Sequence, residues 1–127
     1  GLPRGRIGLM GTAATLKLGL YQRHLEAQGY ECIVPDDDEV ERFCMGSIRA
    51  VKGNQLEDAF APAAECIARL KARGADAVVL GCTELPLAVP HALRPSLGVT
   101  LTDSIDALAR AAIAHYQADQ PAERIAA

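Results

Sequence analysis

Aromatic side chains are scarce in this sequence: they make up 4% of the 127 residues, and tryptophan is absent. Platforms on which nucleic-acid bases stack are therefore not expected. The net charge is −3, so a basic surface for nucleic acid or for an anionic membrane is not expected either. Long apolar runs are also missing, since none approaches the roughly 20 residues that a membrane helix needs. We therefore expect neither nucleic acid nor a membrane as a partner.

Paired cysteine motifs are absent as well. The cysteines are Cys32, Cys44, Cys66 and Cys82, and no two stand in the CxxC spacing of zinc ribbons and redox-active pairs. Cys32, Cys44 and Cys66 stand among apolar neighbours, which favours a structural role as small buried side chains. We therefore predict reduced thiols, no metal site and a cytoplasmic location.

The overall composition is typical of one globular domain, since half of the residues are hydrophobic and 23% are charged. Short apolar runs predict four strands, at 6–10, 30–34, 76–80 and 99–101, and stretches with helical spacing lie between them. Buried strands that alternate with helices predict an α/β fold, with a parallel sheet of about four strands flanked by helices.

The spacing of apolar residues also predicts where the helices lie. One helix carries Leu18, Tyr21 and Leu25 at helical spacing on its buried face and ends at Gly29. The acidic run 36–39 stands where the next helix begins, so we expect its carboxylates to cap that helix rather than to bind a metal. A final amphipathic helix is predicted over 105–116.

A loop whose side chains are suited to catalysis follows the third predicted strand and reads Gly81-Cys82-Thr83-Glu84. Ligands of parallel α/β sheets bind at such strand ends. Gly81 allows a sharp turn, and Thr83 is a good N-cap for a short helix. Cys82 would then lie beside free backbone N–H groups, which lower the pKa of a thiol and attract an anion. The position favours a catalytic thiol, and a small buried side chain is the alternative.

Two weaker candidates accompany this loop. The loop 11–15 after the first strand offers small residues and the hydroxyls of Thr12 and Thr15 beside a helix start. It lacks the Gly-Lys-Ser/Thr of a phosphate-binding loop, so a simple turn is the alternative. Lys52 stands at the end of an apolar helical face, just before Gly53. A cation is favourable at a helix C-terminus in any case, so a surface role is its alternative.

Three stretches of the chain, GLMGTAATLKLGLYQRHLEAQGYECIVP, IRAVKG and GADAVVLGCTELPL, occur in this order. Together they resemble the aspartate/glutamate racemase superfamily over about residues 7–87. Members of the glutamate racemase branch usually carry His at the position of Glu84, so the sequence is more similar to the aspartate racemase branch. The resemblance implies a cofactor-independent racemase that acts on aspartate or a similar acidic amino acid.

The resemblance also implies a mechanism in which two cysteine bases act on opposite faces of the α-carbon. Cys82 matches the second catalytic cysteine, and Glu84 would orient its thiol or carry its proton. The remaining matches bind substrate: Thr83 meets the α-carboxylate, Lys52 meets the side-chain carboxylate, and Thr12 and Thr15 line the site.

The sequence departs from the family in the first cysteine. Family members have two similar α/β lobes, and the first cysteine lies in the earlier lobe, usually in Cys-Asn-Thr, which does not occur here. The chain therefore resembles the second lobe, predicted over 1–101, with a C-terminal helix and tail over 102–127 that would pack on a partner lobe. A start at Gly1 rather than at methionine fits a truncated or processed chain. A homodimer or a missing N-terminal lobe would supply the second base.

Two other functions stay open at this point. A site with one cysteine can protonate a carbanion from one face, as related decarboxylases of the same superfamily do. The chain could also be a non-catalytic module that binds small molecules or dimerises. Stereospecific release of CO₂ from a malonate-type substrate would favour the first of these. A pKa of the Cys82 thiol that stays near the free value when aspartate is added would favour the second.

Overall fold

The fold is built on a four-stranded parallel sheet. The computed structural model describes residues 5–103. The strands are β1 (Arg6–Met10), β2 (Glu31–Ile33), β3 (Ala77–Leu80) and β4 (Thr100–Asp103). Their order across the sheet is β2-β1-β3-β4, and each neighbouring pair is parallel. The predicted α/β fold is confirmed, although β4 runs to Asp103 rather than ending at 101.

Helical segments make the connections that parallel strands require. The helices are α1 (Ala13–Leu18), α2 (Leu20–Ala27), α3 (Asp37–Glu39), α4 (Gly46–Lys52), α5 (Leu56–Ala72) and α6 (Leu85–Ala88). A π-helical segment (Val40–Met45) joins α3 to α4, and a 3₁₀ segment (His91–Leu97) follows α6.

The buried core joins the sheet to α4 and α5. Its largest fully buried apolar side chains are Leu9, Met10, Ile48, Ile67, Leu70, Val78, Leu80, Leu85 and Val89. Gly8 allows α5 to approach β1 closely, because a Cβ at this position would lie 3.2 Å from the Cβ of Leu70. This packing fixes the strand ends from which the candidate loops leave the sheet.

The helix predicted to bury Leu18 and Tyr21 is wrong in two respects. It is interrupted at Gly19, which has a φ of 72° and separates α1 from α2. The left-handed backbone at Gly19 turns the chain, so the helical face no longer continues across the break. Leu18 is 61% exposed and Tyr21 is 36% exposed, whereas Leu25 packs against the core.

The acidic run caps a helix, as predicted. The Asp36 carboxylate accepts from the N–H of Glu39 at 2.8 Å, and the Glu39 carboxylate accepts from the N–H of Asp36 at 3.0 Å. This reciprocal arrangement is a capping box. Glu39 is also buried and forms ion pairs with Arg69, at 3.4 Å, and with Arg73. Burial alone would raise the pKa of Glu39, but the Asp36 N–H and the guanidinium groups outweigh it and lower that pKa.

The helix predicted over 105–116 lies outside the described residues. Across the described range 5–103, no helix combines the length and the hydropathy needed to cross a membrane.

Candidate active site

The candidate site lies where β1 and β3 end side by side. The N–H of Gly81 donates to the carbonyl oxygen of Met10 at 2.7 Å, which brings the two strand ends together. A Cβ on Gly81 would overlap that same oxygen. Gly81 does not have a positive φ, so the need for glycine comes from this close approach rather than from a left-handed turn. Cys82 therefore leaves the sheet from a sterically fixed point.

The Cys82 thiol is half-buried and faces the start of α6. Its Sγ accepts from the N–H of Leu85 at 3.4 Å. The prediction that Thr83 caps this helix is wrong. The N-cap residue is Glu84, and its side chain makes no capping hydrogen bond to the helix. Thr83 is exposed and its hydroxyl donates instead to the Glu84 carboxylate at 2.9 Å. The sulfur of Cys82 takes the place at the helix start that was expected for the Thr83 hydroxyl.

The pKa of the Cys82 thiol is raised, which corrects the expected lowering. Burial is the largest cause, because it disfavours the charged thiolate. The backbone N–H groups of Leu85 and Glu84 act in the opposite direction, as the sequence suggested. The Glu84 carboxylate acts in the same direction as burial and raises the pKa further, because its negative charge and its hydrogen bond to the thiol favour the protonated form. Cys82 is therefore held as a thiol in the free chain, ready to donate a proton.

Lys52 and Glu84 meet beside Cys82. Nζ of Lys52, at the end of α4, lies 4.0 Å from Oε1 of Glu84. The Lys52 side chain is 66% exposed and the Glu84 side chain is 23% exposed. The hydrogen bond from Thr83 and the nearby ammonium group of Lys52 lower the pKa of Glu84, although partial burial opposes them. Lys52, Cys82, Thr83 and Glu84 form one group, which we call the Cys82 cluster.

Thr12 and Thr15 lie at the end of the neighbouring strand β1 and are used to start α1. The Thr12 hydroxyl accepts from the N–H of Thr15 at 3.1 Å and donates to the Thr15 hydroxyl at 2.8 Å. Thr12 is the N-cap of α1. The loop therefore lies one strand from Cys82, and its two hydroxyls are bonded to each other. This supports a role in starting α1, and contact with a substrate stays a prediction.

The other cysteines occupy different surroundings. Cys44 and Cys66 are buried, and a hydrogen bond between their thiols, together with burial, holds the pKa of Cys66 far above its ordinary value. Cys32 lies within β2, where burial and then Glu26 raise the pKa of its thiol. The structural role predicted for these three residues is consistent with their positions. Among the described residues, no group of three or more His, Cys, Asp or Glu side chains is placed to hold a metal ion.

Sequence reasoning missed a buried ion pair that holds the segment after Cys82. Nη2 of Arg94 lies 3.4 Å from Oδ2 of Asp103 at the end of β4, and both residues are buried. The Arg94 guanidinium also donates to the carbonyl oxygens of Val89, at 2.9 Å, and Pro86, at 3.4 Å. Arg94 thus ties α6 to the strand beside β3. The available signal was Asp103, a carboxylate placed at a strand end as Cys82 is.

The arrangement is suited to proton transfer beside a bound carboxylate. A protonated thiol lies next to a carboxylate that can receive or return a proton. A hydroxyl and an ammonium group, those of Thr83 and Lys52, can hold anionic groups of a ligand. Both are exposed, so the Cys82 cluster lies open to solvent at the carboxyl end of the sheet.

Comparison with known sequences identifies one family. The sequence model of the Asp/Glu/hydantoin racemase family matches residues 2–112. An uncharacterized protein from Pectobacterium carotovorum subsp. carotovorum is 36% identical over 91 residues, which cover 72% of this chain and 60% of that protein. A glutamate racemase from Carnobacterium sp. (strain St2) is 32% identical over 102 residues, which cover 79% of this chain and 34% of the enzyme.

Solved structures resemble the fold as well. An aspartate racemase homologue from Pyrococcus horikoshii OT3 superposes with a TM-score of 0.63 and 31% identity, over 80% of this chain and 43% of that one. The aspartate racemase of Picrophilus torridus superposes with a TM-score of 0.61 and 28% identity, over 77% of this chain and 39% of that one. The chain thus spans between about a third and three fifths of the length of these relatives.

Proposed function

We propose that this chain, which belongs to the Asp/Glu/hydantoin racemase family, provides one half of a cofactor-independent racemase site for acidic amino acids. The observation that carries the proposal is the Cys82 cluster, in which a protonated thiol lies beside a carboxylate, a hydroxyl and an ammonium group at the end of β3. Family membership supports a racemase-type function, and the cluster supports the roles that we propose for its residues.

Cys82 is the proton-transfer group in this proposal. The α-hydrogen of an amino acid is a very weak acid, so the carbanion needs hydrogen bonds to its carboxylate. The thiol donates its proton to one face of the carbanion, so the S–H bond breaks and the α C–H bond forms. In the reverse direction the thiolate removes that α-proton. Glu84 accepts or returns the proton of the thiol, since its carboxylate lies beside that group and the pKa of each responds to the other.

The substrate class follows from the two groups that can hold anions. In our proposal Thr83 binds the α-carboxylate and Lys52 binds the side-chain carboxylate of aspartate or a similar amino acid. The loop with Thr12 and Thr15 forms the adjacent wall. A lysine would contribute little to a neutral side chain, so an acidic substrate fits the charge of the site best.

The second base must come from outside the described residues of one chain. Inversion requires that one proton leaves one face of the α-carbon while another arrives at the opposite face. Within residues 5–103, Cys82 is the thiol at the carboxyl end of the sheet, whereas Cys32, Cys44 and Cys66 lie in a strand or in the core. We propose that a second lobe faces the carboxyl end of the sheet, either from a second copy of this chain or from a partner domain.

Chiral chromatography of L- and D-aspartate incubated with the protein tests this proposal. We expect slow interconversion, whose rate per chain rises with protein concentration if a second copy supplies the other base. Cys82→Ser should abolish it, and Cys32→Ser, which changes a thiol within β2 rather than in the loop after β3, should leave it intact. Interconversion that persists in Cys82→Ser contradicts the proposal.

A decarboxylase of the same superfamily is the second candidate, because the raised pKa of Cys82 suits a thiol that donates to one face only. In such a reaction the C–C bond of a malonate-type substrate breaks, CO₂ leaves, and the carbanion takes the proton of the Cys82 thiol. Release of CO₂ from a disubstituted malonate, with a product of one handedness, would replace racemisation as the function.

A further inference from the structure

We propose that Glu84 is a specificity-determining residue: in the free chain its carboxylate occupies the place that a ligand carboxylate will take, and an acidic ligand binds by displacing it. This inference rests on the proposed function and adds a reason for selecting dicarboxylates. The groups involved are the Thr83 hydroxyl and the Lys52 ammonium, which we call the carboxylate clamp.

One carboxylate engages both halves of the clamp in the free chain. The Thr83 hydroxyl donates to Oε2 of Glu84 at 2.9 Å, and Nζ of Lys52 lies 4.0 Å from Oε1 of the same side chain. These are the donor and the cation that the proposed substrate needs. Glu84 therefore bridges the clamp as a carboxylate supplied by the protein itself.

The contacts of Glu84 are weak enough to be exchanged. The ammonium of Lys52 is largely solvated and 4.0 Å is a long ionic contact. Exposed ion pairs of this kind contribute little to stability, because water competes for both charges. A ligand that brings its own carboxylate replaces the contact with an equivalent one, so the exchange has a small free-energy cost.

A displaced Glu84 has a second partner within reach. The Glu84 carboxylate lies close enough to the Cys82 thiol for each group to shift the pKa of the other. When a ligand takes Thr83 and Lys52, the Glu84 carboxylate loses two contacts that stabilise its charge and remains beside the thiol. Its tendency to accept the proton of Cys82 therefore rises as the ligand binds. Ligand binding and activation of the thiol are coupled through this residue.

The exchange explains a preference for two carboxylates. Glu84 reaches both groups with a single carboxylate, so a monocarboxylate brings one charge and exchanges with Glu84 on equal terms. A dicarboxylate brings a second carboxylate, so Thr83 and Lys52 can each hold one and Glu84 is displaced from both. The selectivity comes from the contact that must be replaced rather than from a rigid pocket.

The test measures the affinity of malonate and of propionate in wild-type protein and in Glu84→Gln. The affinity is obtained from protection of Cys82 against alkylation by iodoacetamide, with the modified residue located by mass spectrometry. In Glu84→Gln the charge that competes for Lys52 is gone, so malonate should bind about two- to fivefold more tightly. Propionate should change by less than malonate. Glu41→Gln, an exposed carboxylate on the π-helical segment, is the matched control and should change neither ligand.

Lys52→Met provides the second arm of the test. With the cation removed, Glu84 competes with malonate only for the Thr83 hydroxyl. Glu84→Gln should therefore alter malonate affinity by less than it does in the presence of Lys52, so the two substitutions should be non-additive. Malonate affinity that is unchanged or weaker in Glu84→Gln would overturn the proposal, and so would the absence of malonate binding to either protein. If the wild-type protein does not racemise aspartate but Glu84→Gln still tightens malonate binding, only the proposed function is overturned. The two failures are therefore distinguishable.

Discussion

The backbone N–H of Leu85 donates to Sγ of Cys82 across 3.4 Å, so the sulfur accepts a hydrogen bond from the first residue of α6. The thiol is thereby held in one orientation at the end of β3. The same contact stabilises the thiolate, yet burial and the Glu84 carboxylate outweigh it and raise the pKa of Cys82. Reactivity of this residue is thus set by burial and the Glu84 carboxylate, which favour the thiol, against the N–H of Leu85, which favours the thiolate.

The first prediction concerns the pH dependence of Cys82 alkylation. Only the thiolate reacts, so the rate of modification by iodoacetamide should rise with pH and level off above the pKa of the thiol. Because that pKa is raised, the midpoint should lie above that of a free cysteine peptide, about 8.5. Glu84→Gln removes a negative charge and should move the midpoint to lower pH. A midpoint that is the same in both proteins would show that Glu84 does not act on the thiol.

The second prediction concerns the close approach of β1 and β3. A methyl group at Gly81 would overlap the carbonyl oxygen of Met10, so Gly81→Ala must displace a strand end. We expect the free energy of unfolding to fall by about 1–3 kcal/mol, as measured by urea titration. Gly46→Ala is the matched control, because a Cβ there meets no atom within 4 Å and Gly46 lies in a helix. That variant should be slightly more stable than wild type, and equal losses in both would contradict the steric account.

Much of the fold follows from local patterns, and this explains which predictions are confirmed. Continuous apolar runs such as 77–80 can be buried on both faces only in a parallel sheet covered by helices. The acidic run at Asp36 predicts a cap because its short side chain reaches the first free N–H groups. Cys82 could be placed near the loop after β1 because the carboxyl ends of parallel strands meet at one end of the sheet. Each of these inferences uses neighbours in sequence or a general property of the sheet.

The errors arise where burial, backbone conformation or a competing partner decides the outcome. The pKa of Cys82 depends on how deeply the thiol is buried, which the spacing of residues does not contain. The break at Gly19 results from a backbone conformation that apolar periodicity does not report. Arg94 and Asp103 are nine positions apart, and their pairing depends on the packing of the segment after α6. Thr83 turned towards Glu84 because an adjacent carboxylate offered a charged acceptor.

The third prediction concerns the Arg94–Asp103 pair. Arg94→Leu leaves the buried Asp103 carboxylate without its guanidinium partner and frees the carbonyl oxygens of Val89 and Pro86. Removing one partner of a buried ion pair costs about 3 kcal/mol, and urea unfolding measures that loss. Arg49→Leu breaks the exposed pair with Glu41 and should cost less than about 1 kcal/mol. Similar losses for the two variants would contradict the assignment of Arg94 as the residue that anchors α6.

The fourth prediction concerns acid stability and Glu39. The pKa of this carboxyl is lowered in the folded chain, so its contribution is fully present above its unfolded pKa of about 4.3 and is lost as pH falls through the folded value. Glu39→Gln removes the contacts with Arg69 and Arg73 and should cost about 1.5–3 kcal/mol at pH 7. The difference between the two proteins should shrink as the pH falls below 4.3. A difference that is constant from pH 7 to the acid range would show that the charge of Glu39 is not responsible.

The most direct test of the central claim is exchange of the α-proton of aspartate in D₂O, followed by proton NMR in the presence of the protein. One base is enough for exchange, so the measurement addresses Cys82 even where inversion is slow. We predict loss of the α-proton signal with wild type and with Cys32→Ser, and retention of that signal with Cys82→Ser. Exchange that continues in Cys82→Ser, or that is absent in wild type, would contradict the assignment of Cys82 as the group that transfers the proton.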